Sequence, residues 1–183
     1  MIDMLFILRL LYKIGGYKMN LNEIKLELVT IESKGKLENL MSIYLHDLSE
    51  FADDLKINED GKFEYDGLEM YFKSEDLTPY FITYKGKVAG FVLFNTGKYV
   101  PKDIDYVVHE LFLLKGFRKK GVGNAAISIL LDTYKGKYKV EQISSNKPAV
   151  NFWRKFYEKQ GIKYIESKEI NYDFECSVQI FDI

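Results

Sequence analysis

The spacing of apolar residues along the chain changes period several times, and each change marks an element. Over 24–31 apolar and polar residues alternate, with Ile24, Leu26 and Leu28 on one side, which predicts a strand. Leu37, Leu40, Met41, Tyr44, Leu45 and Leu48 then recur at intervals of three and four, the stripe of an amphipathic helix over about 36–51. Residues 58–78 are acidic, aromatic and weakly periodic, and read as a long loop with a short helix near 67–72. Apolar runs at 80–84 and 88–94 flank Lys85-Gly86-Lys87 and predict a hairpin. Residues 107–114 are β-branched and apolar apart from His109 and Glu110, as a mostly buried strand should be. From Val122 onward Ala126, Ile129, Leu130 and Thr133 restore helical spacing, and Gly136 stands where a helix commonly stops. A strand at 138–144, a helix from about Pro148 and final strands at 162–165 and 173–181 complete the pattern.

Composition narrows the classes. The chain has 183 residues, the length of one domain with a sizeable core, and a formal net charge of −1. That balance argues against binding nucleic acid by general electrostatics. The lone cysteine, Cys176, can close no internal disulfide, which fits a reducing, cytoplasmic setting. The apolar run near the N-terminus is too short for a membrane span and is broken by Arg9 and Lys13. It also lacks the small-residue cleavage site of a signal peptide. The stretch Gly15-Gly16-Tyr17-Lys18-Met19 can be encoded by a purine-rich ribosome site just ahead of an ATG. The natural start is therefore expected at Met19, with residues 1–18 a non-native leader or flexible extension and the domain running over 19–183. The alternative is a short amphipathic helix. N-terminal sequencing of protein made from the native gene separates the two.

The candidate chemistry centres on residues 118–123, Arg118-Lys119-Lys120-Gly121-Val122-Gly123, between the strand at 107–114 and the helix that follows. Glycines at a helix start let backbone approach a ligand. The free N–H groups and the positive end of the helix dipole favour an anion, and three adjacent cations add to that pull. A dinucleotide fingerprint also fits Gly121-Val122-Gly123-Asn124-Ala125-Ala126, with Glu141 near the expected acidic position. The basic insert before the glycines and the lack of a second nucleotide-binding half argue against it. No Gly-Lys-Ser/Thr follows, so a Walker loop is excluded.

Arg118-x-x-Gly121-x-Gly123 after an ELFLL strand resembles the acetyl-CoA signature of the GNAT acyltransferase superfamily. Asn146-x-x-Ala149, followed by an aromatic helix and Gly161, is similar to that family's second segment. Trp153 stands where the family commonly has tyrosine, and Tyr157 lies one turn later. The wider likeness, over about 24–181, is to a bacterial group of GNAT acetyltransferases. It implies a single α/β domain, a mixed and mostly antiparallel sheet with helices on both faces. It also implies acetyl-CoA as cosubstrate, bound by Arg118 to Asn124, with the loop amides at the pyrophosphate. Leu111, Phe112 and Leu113 would lie along the pantetheine arm, and Asn146 and Trp153 would also contact the cofactor. The acceptor implied is a primary amine, on a small molecule or peptide, and a homodimer is compatible.

Acyl transfer to an amine needs a base, a donor for the oxyanion and an acid for the leaving thiolate. Backbone amides near Phe112 and Leu113 would serve the oxyanion. Two carboxylates compete as base. Glu110 lies among apolar neighbours, where burial would raise its pKa. Glu141, on the next strand, is flanked by Lys139 and Gln142, a wetter setting. Glu110 is preferred. Tyr157 is the candidate acid. His46 lies at the edge of the first helix's apolar stripe and reads as structural. Neither His46 nor His109 has ligand-spaced partners, so no metal site is expected. Two readings of other classes stay open: a non-catalytic CoA-binding or protein-interaction module, and a GNAT-type toxin acting on charged tRNA.

Overall fold

A computed structural model describes residues 11–14, 17–20, 23–171 and 173–183. β1 (Leu11–Ile14) and β2 (Tyr17–Asn20) pair antiparallel as a ribbon of their own. Over those residues the pairing replaces the helix considered above. The rest of the expected leader, residues 1–10, 15 and 16, lies outside the described residues.

The main sheet has seven strands. They are β3 (Ile24–Leu28), β4 (Leu77–Tyr84), β5 (Lys87–Asn95), β6 (Tyr106–Leu113), β7 (Lys137–Ile143), β8 (Tyr164–Asn171) and β9 (Phe174–Asp182), in the order β3-β4-β5-β6-β7-β9-β8. β6 and β7 are parallel and every other neighbouring pair is antiparallel. Between β3 and β4 runs α1 (Lys34–Leu48); α2 (Val122–Thr133) and α3 (Lys147–Gln160) flank β7 in sequence. Among the described residues no helix is long and apolar enough to cross a membrane.

Alternation along β5 explains why both faces are covered. Phe91 and Leu93 join Leu37, Met41 and Leu45 of α1 in one apolar cluster. Val92 and Phe94 point the other way, into a second cluster with Ile127 and Leu130 of α2 and Phe156 of α3. A strand clothed on both faces reads as a nearly unbroken apolar run, as β5 does. The β4–β5 turn is closed by Lys85 and Gly86, with φ of 53° and 72°, the backbone of a tight two-residue hairpin.

Two irregularities shape the middle of the sheet. The parallel pairing of β6 with β7 runs only from Tyr106–Tyr138 to Val108–Val140. Beyond it β6 continues along β5 and β7 along β9, so the two strands part and leave a wedge. At the same point the β5–β6 register shifts: Leu93 faces Glu110 but Phe94 faces Val108. His109 is the extra residue of a β-bulge.

Two expectations change here. β8 extends to Asn171, well past 165, because its middle (Glu166–Glu169) is a polar run on an exposed edge strand that carries no burial pattern. Ile165 and Ile170 in it are 74% and 71% exposed. Gly136 does not cap α2, which ends on Tyr134 in extended backbone. At Gly136 (φ 155°) an added Cβ would lie 2.6 Å from an Asp105 carboxylate oxygen, so the glycine permits a close approach. That oxygen accepts from the amide of Lys137 at 2.8 Å.

Candidate active site

The bulge decides what β6 presents. Without it His109 and Glu110 would point to opposite faces; with it both meet tyrosines on the α1 face. Tyr44 of α1 donates its hydroxyl hydrogen to Glu110 Oε2. Tyr65, from the loop after α1, donates to Oε1 at 3.4 Å and lies 3.3 Å from His109 Nδ1. Tyr71 lies 2.8 Å from the same nitrogen and donates to Asn95 Oδ1 at 2.6 Å. Rings hold Tyr44 in place: Phe91 stands edge-on at 5.8 Å and Phe112 tilts at 5.7 Å. Burial pushes the Glu110 carboxyl above the usual glutamate range, against the opposing pull of His109 and the two hydroxyls.

Glu141 has the opposite setting. Burial would raise its pKa too, but Asn171 Nδ2 donates to it at 2.7 Å and Lys139 Nζ lies 3.1 Å away. The outcome is a carboxyl held below the usual range.

The backbone of β6 has one side committed and one free. Leu114 N donates to Ala89 O of β5 at 2.9 Å. Counting back by twos, Phe112 and Glu110 also turn their peptide groups to β5, and Leu111 and Leu113 turn theirs to the wedge. The expectation for Phe112 is thereby corrected: its side chain is buried under α1 and its amide faces β5. Gly90 of β5 makes this approach possible, since an added Cβ would fall 1.9 Å from Phe112 O.

The start of α2 lies against the wedge. Gly121 takes φ 79° as the residue before the helix, a conformation glycine adopts without penalty. Ala125 N donates to Gly121 O at 3.0 Å, which leaves the N–H groups of Val122, Gly123 and Asn124 ahead of the first helical bond. Gly123 is buried for a packing reason. A Cβ there would meet the Phe152 ring of α3 at 3.1 Å and Leu113 of β6 at 3.4 Å, so three elements converge on it.

Arg118 does not aim at those amides. Its Nε donates to Leu113 O at 2.7 Å and its Nη2 to Asp47 Oδ2 of α1 at 2.6 Å. Its guanidinium lies 5.5 Å over the Phe112 ring. It is a strut between the end of β6 and α1. Asp47 also meets Lys115 at 3.2 Å; these two cations overcome its burial and hold its carboxyl below the usual range. Lys120 Nζ donates to Gly116 O at 2.6 Å, and Lys119 is exposed with φ 59°.

On α3, Asn146 caps the helix by accepting from Ala149 N at 3.2 Å, which leaves its Nδ2 hydrogens for a ligand. Trp153 and Tyr157 are not brought to the wedge. Trp153 is buried in the core and stacks on Tyr157 at 5.8 Å. Tyr157 is 0% exposed, its hydroxyl has no partner, and it packs on Tyr164 and Phe181. Burial raises its pKa far beyond the working range. Phe152 is the α3 ring at the wedge, and five residues on, Tyr157 has turned to another side of the helix. The tyrosines at 44, 65 and 71 escaped the sequence reading. Their signal was the aromatic content of α1 and the loop after it.

Among the described residues no three His, Cys, Asp or Glu side chains converge as metal ligands would.

The chain matches the sequence profile of the acetyltransferase (GNAT) family over residues 38–161. Several solved structures share its fold. An acetyltransferase from Thermus thermophilus is 12% identical, with TM-score 0.61 over 87% of this chain and 97% of that one. Aminoglycoside acetyltransferase AAC(6')-Ib in complex with coenzyme A is 17% identical, with TM-score 0.61 over 87% and 94%. The microcin C7 self-immunity acetyltransferase MccE in complex with acetyl-CoA and AMP is 19% identical, with TM-score 0.57 over 88% and 92%. Comparison with curated proteins finds no match.

Proposed function

Since the chain belongs to the GNAT acetyltransferase family, whose cosubstrate is acetyl-CoA, we propose that it transfers the acetyl group to a primary amine by direct attack. The observation that carries this reading is the wedge between β6 and β7, with a basic carboxylate beside it. The residues present fit the cosubstrate. The amides of Val122, Gly123 and Asn124 suit its pyrophosphate. The Leu111 and Leu113 peptide edges can pair with the pantetheine arm as a strand would, and Asn146 Nδ2 can donate to the same arm. Leu113 O is already taken by Arg118. The groups left for the thioester are the Leu111 and Leu113 N–H donors, of which one would hold the oxyanion.

Glu110 is the base of this proposal. It takes a proton from the attacking nitrogen while Tyr44 and Tyr65 fix its two oxygens. Glu141 braces β7 against β8 through Lys139 and Asn171. The acceptor enters on the α1 face, along the loop over 58–78, whose carboxylates favour a cation. The lone cysteine supports a cytoplasmic setting.

A thiol-release assay over a panel of amines tests the reading. Release with at least one amine class is expected. Binding of acetyl-CoA with no release from any amine would favour the non-catalytic module.

A further inference from the structure

The exposed neighbour of Glu110, His109, has no part in the scheme so far. Its tautomer follows from its partners. A tyrosine hydroxyl has one hydrogen to give. Tyr71 gives its hydrogen to Asn95, so at its 2.8 Å contact with His109 Nδ1 it can only accept. Tyr65 gives its hydrogen to Glu110, so it too accepts from Nδ1. Nδ1 therefore carries the hydrogen, and Nε2 of the neutral ring carries a lone pair. The Tyr71 ring lies at 15° to the imidazole and the Tyr65 ring at 74°, which fixes its orientation. Nε2 lies across the ring from both hydroxyls, on a side chain that is exposed.

Acetylation of an ammonium acceptor has two protons to place. One C–N bond forms, one C–S bond breaks, and the nitrogen loses two protons. One proton ends on the thiolate sulfur and the other in solvent. We propose that they leave by different groups. His109 Nε2 takes the first from the acceptor ammonium, before attack, and releases it to solvent. Glu110, half-buried and held by the Tyr44 and Tyr65 hydroxyls, takes the second once the C–N bond has formed, and returns it to the thiolate as the C–S bond breaks. His109 is then a second catalytic residue. Tyr71 and Asn95 are positioning residues that hold its tautomer. This rests on the amine acetylation proposed above.

The test compares an alkylamine that the panel finds active with its β-trifluoro analogue. The first is an ammonium ion at neutral pH; the second is already a free amine. His109→Ala should lower kcat/KM for the alkylamine by about 10²–10⁴-fold. It should leave the fluorinated amine nearly untouched, and added imidazole should restore part of the loss. Glu110→Gln should depress both amines. Long-range 1H–15N correlation on histidine-labelled protein should find His109 protonated at Nδ1, and Tyr71→Phe should shift it toward a mixture of tautomers. An equal loss on both amines, a fully active His109→Ala, or a hydrogen found on Nε2 alone would overturn the proposal. If the wild type releases no thiol with any amine, the acetylation reading itself fails. The two failures are thus distinguishable.

Discussion

The two strands that border the wedge carry one glutamate each, and the pair behaves in opposite ways. Glu110 on β6 meets neutral donors, the hydroxyls of Tyr44 and Tyr65, at a half-buried position, and its carboxyl is pushed up. Glu141 on β7 meets an ammonium and an amide, Lys139 and Asn171, and its carboxyl is pulled down. Burial opposes the charge on both, so burial alone does not make a base. The charge of the nearest partner decides the sign. A carboxylate already neutralised by lysine is a poor proton acceptor, and one held by hydroxyls keeps its basicity.

The largest effect should appear in turnover. Glu110→Gln should lower it by about 10²–10⁴-fold while acetyl-CoA affinity holds, because the amide keeps the shape and loses the basicity. Glu141→Gln should turn over at close to the wild-type rate. If Glu141→Gln is crippled and Glu110→Gln is not, the roles must be exchanged.

Next in size is the packing that shuts one end of the wedge. Gly123→Val should strike the Phe152 ring, lowering stability by about 1–3 kcal/mol and weakening acetyl-CoA binding. Phe152→Ala in the same chain should recover much of the stability. Calorimetry and thermal unfolding of both variants check this. Normal acetyl-CoA binding by Gly123→Val would place the cradle elsewhere.

Smaller effects should appear in stability against pH, with opposite signs. The folded pKa of Glu110 is raised, so its contribution falls as pH rises from the ordinary glutamate range through that folded value. Glu110→Gln should therefore be at least as stable as wild type at neutral pH, with any gain fading in acid. The folded pKa of Glu141 is depressed, so its contribution is present above the ordinary range and is lost as pH falls through the folded value. Glu141→Gln should be the less stable variant at neutral pH, modestly so because its side chain is partly solvated. Denaturant titrations at neutral and acid pH read both signs; the same sign for both would break the comparison.

The smallest effect belongs to Arg118→Ala. It removes the strut to Asp47 and Leu113 O. The loss of acetyl-CoA affinity should be weaker than in Gly123→Val and little changed by salt, since the guanidinium is committed to the protein. A steep salt dependence in the wild type that vanishes in the variant would mean that Arg118 meets the anion directly.

How far this could be read from the chain follows from the range of the interactions. The α1 stripe, the β4–β5 hairpin and the glycine start of α2 are local patterns, and each lies close to its expected place. The contrast between the surroundings of Glu110 and Glu141 is local as well, Lys139 lying two residues from Glu141. The tyrosine cluster did not, since Tyr44 and Glu110 stand 66 residues apart. The His109 bulge shifts register by one residue and leaves no mark on composition. The length of β8 is not legible, because its polar centre, solvated at the edge of the sheet, has nothing to bury. Trp153 and Tyr157 lie close to the motif's aromatic position in sequence, but the helical turn carries both into the core.

The most direct measurement is a carboxyl-carbon NMR titration of the glutamates, with Glu110→Gln and Glu141→Gln used to assign the two resonances. The expected result is a Glu110 midpoint above the ordinary glutamate value of about 4.3 and a Glu141 midpoint below it. Coincident midpoints, or the reverse order, would contradict the assignment of base and brace across the wedge.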